Sequence, residues 1–135
     1  MKRAHADSWF SSGVNAVKIK QETIAGTVFR ITPNERLDAV TASALEGFLK
    51  AELEAGHVRL LLDLSEVTYL SSSGLRALLH IRRQAQAAGG DLVLAEMSPR
   101  VREVFEMIGF TDLFQVFDRA EDARAVLAQT QADRR

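Results

Sequence analysis

Residues 58–88 read VRLLLDLSEVTYLSSSGLRALLHIRRQAQAA and join an apolar run to an amphipathic pattern. The run Val58–Leu64 is too short for a typical helix and has the length of a strand that is buried on both faces. From Leu75 to Ala88 the apolar side chains recur at spacings of three and four residues, as on one face of a helix. These side chains are Leu78, Ile81, Ala85 and Ala88. The segment therefore predicts a buried strand, a connection and a helix.

Three consecutive serines and a glycine, Ser71-Ser72-Ser73-Gly74, stand where this helix should begin. A serine oxygen at such a position can accept hydrogen bonds from the N–H groups of the first turn, which have no partner inside the helix. Ser71 and Ser73 are therefore predicted to be capping residues. The small side chains and the glycine also allow the turn to approach a neighbouring element closely.

The segment Asp63-Leu64-Ser65-x-Val67-x-Tyr69-Leu70-Ser71-Ser72-Ser73-Gly74-Leu75 resembles the signature of the STAS domain family. That family includes anti-sigma factor antagonists and the cytoplasmic tails of sulfate transporters. Its usual signature contains Asp-Ser-Ser/Thr-Gly-Leu, in which a partner kinase phosphorylates the serine after the aspartate. The resemblance maps that serine onto Ser72 and places Ser71 where the aspartate usually stands. Weaker matches at Leu37-Asp38 and between Ser98 and Phe110 extend the resemblance over residues 14 to 128.

Strands and helices are predicted to alternate along the chain in the order β-β-α-β-α-β-α-β-α. We expect a single α/β domain, STAS-like by its resemblance, with a mostly parallel sheet and an N-terminal antiparallel hairpin. The helices are expected mainly on one face of the sheet. Residues 1–13 are predicted to be a mobile N-terminal leader, residues 14–129 the STAS domain, and residues 130–135 a polar C-terminal tail.

Periodicity and cap residues place the remaining elements. In chain order, we predict strands at Val14–Lys20 and Gly26–Ile31 and then a helix that is capped by Asp38 or Thr41 and ended by Gly56. A strand at Leu92–Ala95 follows, and then a helix with Ser98 as its cap, Pro99 at its first position and Gly109 at its end. The last predicted elements are a strand at Leu113–Phe117 and a helix from Ala120 to about Gln129.

The composition argues against several classes of function. The chain has 135 residues, a formal net charge of −1 and no cysteine. It therefore has no overall basic field to attract nucleic acid, and it can form neither a disulfide nor a thiolate metal site. No apolar run approaches the roughly 20 residues needed to cross a bilayer. We predict a cytoplasmic protein that does not insert into membranes and does not bind nucleic acid directly.

The residues around Ser72 also argue against catalysis. The nucleophile elbow of a hydrolase reads Gly-x-Ser-x-Gly, whereas Leu70 stands here in place of the first glycine. The histidines His5, His57 and His80 form no metal pair at helical spacing. The sequence thus predicts that the protein is not an enzyme and has no metal or cofactor.

A polar face should run along the predicted helix on the side away from its apolar residues. It carries Ser72, Arg76, His80 and Arg83, at spacings of four, four and three residues. On spacing alone, a solvated polar surface explains this face equally well. The resemblance implies instead that these residues, with Ser71, Ser73 and Gly74, bind a partner. The implied partner is an anti-sigma factor that is also a serine protein kinase, and a serine phosphatase is a further candidate.

Phosphorylation of Ser72 would place about 1.5 to 2 negative charges at the helix N-terminus, where the helix dipole and Arg76 favour an anion. We therefore predict an electrostatic switch at the surface rather than an unfolding switch. Because Ser71 replaces the usual aspartate, Ser71 or Ser73 remains an alternative acceptor, and the chain could also lack the modification. Without it, the domain would serve as a STAS subunit of a lipid or anion transport complex, or as a stress-signalling scaffold.

Overall fold

The computed structural model describes residues 8–11, 18–24, 28–33 and 35–133. Its strands are β1 (Ser8–Ser11), β2 (Lys18–Ile24), β3 (Val28–Pro33), β4 (Glu35–Leu37), β5 (Arg59–Asp63), β6 (Val67–Leu70), β7 (Asp91–Ala95) and β8 (Val116–Phe117). Its α-helices are α1 (Ala39–Glu54), α2 (Ser72–Ala87), α3 (Pro99–Met107) and α4 (Ala120–Asp133), and a 3₁₀ turn spans Phe110–Leu113.

The main sheet contains six strands in the order β1-β2-β3-β5-β7-β8. The pairs β1–β2 and β2–β3 are antiparallel, whereas β3, β5, β7 and β8 run parallel to one another. The prediction of a mostly parallel α/β sheet with an N-terminal antiparallel hairpin is therefore confirmed. Residues 14–17 and 26–27 of the two predicted hairpin strands lie outside the described residues, and both strands extend further than predicted, to Ile24 and Pro33.

The two predicted terminal segments contain secondary structure that the sequence analysis did not assign to them. Within the predicted leader, Ser8–Ser11 pairs with β2 as an edge strand, while residues 1–7, 12 and 13 lie outside the described residues. At the other end, α4 continues to Asp133 instead of ending near Gln129. No glycine or proline interrupts the sequence there, so nothing local terminates the helix.

Helices cover the two faces of the main sheet unequally. The larger core lies between the sheet and α1, α2 and α3, and its members include Ile31, Leu62, Leu49, Leu78 and Phe105. On the opposite face, α4 contributes two alanines and Leu127 to a smaller core with Val28, Leu61, Val93 and Ala95. The prediction that the helices lie mainly on one face is confirmed. The burial of the last four residues of β5 and of all five residues of β7 follows from their having a core on each side.

A second sheet of two short parallel strands, β4 and β6, was not predicted. Its strands have three and four residues, too few for a period of two to be recognised in the sequence. The register places Leu37 beside Leu70, and both side chains are buried. Since α1 begins after Leu37 and α2 after Leu70, this pairing brings the N-termini of the two helices side by side.

The caps of α1 and α3 were predicted correctly. Asp38 accepts hydrogen bonds from the Val40 and Thr41 N–H groups at 3.1 Å each, and Thr41 Oγ1 accepts in return from the Asp38 N–H at 2.9 Å. Gly56 follows the C-cap of α1 with φ of +99°, a conformation that glycine adopts without strain. Ser98 caps α3 by accepting from the Val101 N–H at 3.2 Å.

The predicted strand at Leu113–Phe117 is wrong in its extent. Phe110–Leu113 forms a 3₁₀ turn, and only Val116–Phe117 pairs with β7. Gly109 introduces the turn with φ of +75°. The buried Phe114 ring packs edge-on against Phe105, with 5.9 Å between ring centroids, so the apolar character of this segment serves a loop contact rather than a longer strand.

Candidate functional site

The hydroxyl of Ser71 forms two hydrogen bonds at the N-terminus of α2. As the N-cap residue, it accepts a hydrogen bond from the Gly74 N–H at 3.1 Å. It also donates to the carbonyl oxygen of Leu37 at 3.1 Å, and the Ser71 N–H donates to the same oxygen at 2.9 Å. These contacts tie the start of α2 to the end of β4. Ser71 thus has the capping role that the sequence predicts.

Gly74 is buried where α2 crosses the end of β4. A Cβ atom at this position would lie 2.7 Å from the Leu37 carbonyl oxygen and 3.1 Å from Leu70 Cδ1. Real Cβ atoms do not approach backbone oxygen this closely, so the helix can reach β4 only with glycine here. Gly74 is buried and permits this close packing. That it also takes part in binding a partner stays a prediction.

Ser72 and Ser73 occupy the first two positions of α2, and both are exposed. In the part of the chain that the structure describes, neither hydroxyl has a hydrogen-bond partner, so the prediction that Ser73 is a capping residue is wrong: Ser73 lies inside the helix that Ser71 caps. The position of Ser72 and Ser73 in the first turn places them beside N–H groups that lie at the positive end of the helix dipole. An anion attached to either oxygen would therefore be stabilised by the helix itself.

The predicted polar face of α2 is exposed. Arg76, His80 and Arg83 all lie on the surface, while Ile81 and Ala85 on the opposite side are buried. Ala88, which was assigned to the buried side, is the exposed C-cap residue. The structure thus places Ser72, Arg76, His80 and Arg83 on the solvent side of α2, as predicted. Whether a partner binds them stays a prediction.

The arginines of α2 have different surroundings. Arg82 donates to the Asp91 carboxylate at 2.9 Å and also contacts the Leu113 carbonyl, so it joins α2 to β7 and to the 3₁₀ turn. Arg76 and Arg83 form no ion pair with any described residue. Their guanidinium groups are therefore available to an anionic partner, whereas that of Arg82 is part of the domain's internal framework.

His80 contacts α1 and not only solvent. Its Nδ1 atom lies within hydrogen-bonding distance of Glu46 Oε2, and the two side chains are 57% and 32% exposed. Beside them is an open cleft of about 320 Å³, lined by Glu46, Ser73, Arg76, Ala77 and His80. Glu46 could not be found from the sequence, because the contact joins residues 34 positions apart on different helices and no local pattern indicates it.

Arg36 and Tyr69 form a second feature that the sequence analysis missed. The Arg36 guanidinium carbon lies 4.4 Å from the centroid of the Tyr69 ring, which is a cation–π contact. Tyr69 remains 45% exposed, and it lies three residues before Ser72.

Arg36 also contacts Asp38 at 3.4 Å. The hydrogen bond from the Thr41 N–H is the main cause that lowers the pKa of the Asp38 carboxyl, so this cap is anionic at neutral pH.

A family model described as the STAS domain matches residues 16–123. The chain belongs to the STAS domain family. A candidate anti-sigma factor antagonist of Bordetella bronchiseptica, BtrV, is 42% identical over 89 residues, which are 66% of this chain and 77% of that protein. The anti-sigma-B factor antagonist of Listeria monocytogenes is 29% identical over 80 residues, 59% of this chain and 70% of that protein.

Solved STAS structures share the fold. SpoIIAA, an anti-sigma factor antagonist, superposes in its unphosphorylated form with a TM-score of 0.63 and 18% identity, over 82% of this chain and 97% of that chain. Its phosphorylated form from Bacillus gives a TM-score of 0.62 and 19% identity, over 80% of this chain and 98% of that chain. At these identities the likeness concerns the fold. The described helices of this STAS domain include none with the length and apolarity needed to span a membrane.

Proposed function

We propose that this STAS protein is an anti-sigma factor antagonist that binds a kinase-type anti-sigma factor and is switched by phosphorylation of Ser72. The relatives from Bordetella and Listeria, at 42% and 29% identity, are named as antagonists of anti-sigma factors. We further propose that the protein acts in the cytoplasm, that a serine phosphatase reverses the modification, and that the protein itself is neither an enzyme nor a direct ligand of nucleic acid.

The observation that carries this proposal is the difference between Ser71 and Ser72. The Ser71 hydroxyl donates to the Leu37 carbonyl oxygen and accepts from the Gly74 N–H, so its modification would break the start of α2. The Ser72 hydroxyl is exposed, and no described residue engages it. Serine and aspartate are both good N-caps. The serine at position 71 therefore keeps the capping function while leaving Ser72 accessible to a kinase.

The proposed reaction transfers the γ-phosphoryl group of ATP to Ser72. A bond forms between Ser72 Oγ and the γ-phosphorus, the bond from that phosphorus to the bridging oxygen of ADP breaks, and the hydroxyl proton passes to a base on the kinase. The product carries about 1.5 to 2 negative charges at the first position of α2. The unmodified form binds the anti-sigma factor and releases its sigma factor, and the phosphorylated form does not bind.

The switch requires little change within the domain. A negative group at a helix N-terminus stabilises the helix by about 0.3–1 kcal/mol. The hydrogen bonds that hold the start of α2 belong to Ser71, Gly74 and Leu37, and phosphorylation of Ser72 consumes none of them. The change in affinity must therefore arise at the surface, where the phosphate opposes groups of the partner or prevents their desolvation.

The test uses the full chain to capture its kinase from the source cell, followed by incubation with ATP and mass spectrometry. Wild type should gain one phosphate on Ser72. Ser72→Ala should bind the kinase and stay unmodified, and Ser72→Asp should bind at least tenfold more weakly while its Tm stays within about 3 °C of wild type. Phosphate on none of Ser71, Ser72 and Ser73 would refute the phosphorylation switch.

The alternative, a docking subunit of a transport complex, predicts a different pattern. Its partner would not distinguish wild type from Ser72→Ala under any phosphorylating condition, and a captured transporter ATPase would replace the captured kinase. The relatives named above favour the antagonist, so we retain the transport function only as an outcome of this experiment.

A further inference from the structure

The cleft between α1 and α2 contains Ser73 beside the side chains of Arg76 and His80. Ser73, Arg76 and His80 form its α2 wall, and Glu46 of α1 closes the other side. Ser72 lies outside this lining. The two exposed serines at the start of α2 therefore have different surroundings, although they are adjacent in sequence and both lie in the first helical turn.

The spacing in α2 directs these groups toward one another. Ser73 and Arg76 are three residues apart, which places them as neighbours on the helix surface with about 5–6 Å between Cβ atoms. His80 lies four residues further along the same side. Its Nδ1 atom contacts Glu46, and its side chain lines the cleft. In the described part of the chain Arg76 has no ion-pair partner, so its guanidinium group can meet an anion attached to Ser73.

We propose that this cleft is an internal receptor for a phosphoryl group on Ser73, held by Arg76 and His80 of the same chain. A guanidinium group binds phosphate oxygens with paired hydrogen bonds, and a cleft of about 320 Å³ has room for one phosphoryl group. Transfer from ATP follows the same balance as at Ser72: the Oγ–P bond forms, the bond to ADP breaks, and the proton passes to a kinase base.

The receptor gives the two serines different effects on a partner. Phosphate on Ser73 is partly neutralised inside the chain, whereas phosphate on Ser72 presents its charge beyond the cleft. This consequence deepens the proposed function and rests on it. The receptor itself depends only on Ser73, Arg76, His80 and the opposing carboxylate of Glu46, which are the charged and titratable groups that line the cleft together with the hydroxyl.

The test installs phosphoserine at position 73 of the full chain by genetic encoding, so no kinase is needed, and follows the phosphate by phosphorus NMR between about pH 4 and 8. The second pKa of an unperturbed phosphoserine is about 6. We expect this value to fall by about 0.5 unit in the folded protein and to recover by at least half of that shift in Arg76→Gln. Glu46→Gln, which removes the opposing carboxylate, should lower it further.

Arg83→Gln is the matched control, because Arg83 is an equally unpaired arginine of α2 that does not line the cleft. It should leave the phosphate pKa unchanged, and His80→Gln should raise the pKa at position 73 but not that of phosphoserine at position 72. The proposal is overturned if Arg76→Gln and Arg83→Gln have equal effects, or if His80→Gln has none at position 73.

A second measurement covers the case in which the phosphoserine protein does not fold. A double-mutant cycle between Ser73→Glu and Arg76→Gln should show coupling of about twofold in the unfolding equilibrium constant, and zero coupling overturns the receptor. Neither readout uses the kinase. Absence of phosphate after kinase incubation therefore counts against the proposed function alone, whereas unaltered titration and zero coupling count against the receptor alone.

Discussion

Replacement of Gly74 by alanine should destabilise the domain, although alanine is the better helix former. The added Cβ would lie 2.7 Å from the Leu37 carbonyl oxygen, 3.1 Å from Leu70 Cδ1 and 3.3 Å from Leu37 Cβ. The nearest of these atoms belongs to the backbone and cannot rotate away. It is also the acceptor for the N–H and the hydroxyl of Ser71, so the steric conflict falls on the atom that fixes the start of α2.

The expected change in the free energy of unfolding combines one stabilising contribution with two destabilising ones. Glycine to alanine in a helix interior favours the folded state by about 1 kcal/mol. Forcing an extra carbon into packed structure disfavours it by about 1–3 kcal/mol. Displacing the Leu37 carbonyl weakens two hydrogen bonds, each with a net contribution of about 0.5–1.5 kcal/mol. The overpacking and the weakened hydrogen bonds together outweigh the gain in helix propensity, and we expect a loss of about 2 kcal/mol in the free energy of unfolding.

Urea denaturation followed by circular dichroism measures this loss, with Gly47→Ala as the control. Gly47 lies within α1, is exposed, and has nothing within 4 Å of an added Cβ, so the same chemical change should stabilise the protein by about 0.8–1 kcal/mol. The Tm should fall by roughly 6–10 °C for Gly74→Ala and rise by about 3 °C for Gly47→Ala. If Gly74→Ala is as stable as wild type, the close approach of α2 to β4 is wrong.

Two further predictions concern the caps. Ser71→Ala should lower the free energy of unfolding by about 1 kcal/mol, whereas Ser73→Ala should change it by less than about 0.5 kcal/mol in the same urea assay; equal losses would contradict the assignment of Ser71 as the cap. Since the folded-state pKa of Asp38 is lowered, its stabilisation should be complete above its usual pKa near 3.9 and lost as the pH falls through the lower, folded-state pKa. Asp38→Asn should remove this part of the acid-induced loss, and an unchanged profile below about pH 4 would contradict it.

The sequence predicted those parts of the structure that local chemistry determines. Asp38, Gly56 and Ser98 act within one turn of their own positions, so their roles as caps can be recognised without knowledge of the fold. The exposed face of α2 was predictable for the same reason. Its apolar residues recur with helical period and must be buried, which leaves Arg76 and Arg83 toward solvent.

The parts that could not be predicted depend on pairs of residues far apart in the chain. The β4–β6 pair aligns Leu37 with Leu70, and neither strand is long enough to carry a pattern of its own. The contact between Glu46 and His80 joins two helices. The sequence identified Ser71 as a cap, but its hydrogen bond to the Leu37 carbonyl required the fold. Because of that bond, the Ser71 hydroxyl is already hydrogen-bonded within the domain, whereas no described residue binds the Ser72 hydroxyl.

The way α2 begins determines what phosphorylation can do to this domain. The Leu37 carbonyl oxygen binds both the N–H and the hydroxyl of Ser71, and the Ser71 oxygen binds the Gly74 N–H. Phosphoryl transfer to Ser72 or Ser73 would use none of these groups, so we expect the proposed modification to leave this backbone unchanged. A partner would then meet one rigid surface in two charge states. Under the receptor proposal, the charge that the partner meets would be smaller for phosphate on Ser73, where Arg76 and His80 neutralise part of it, than for phosphate on Ser72.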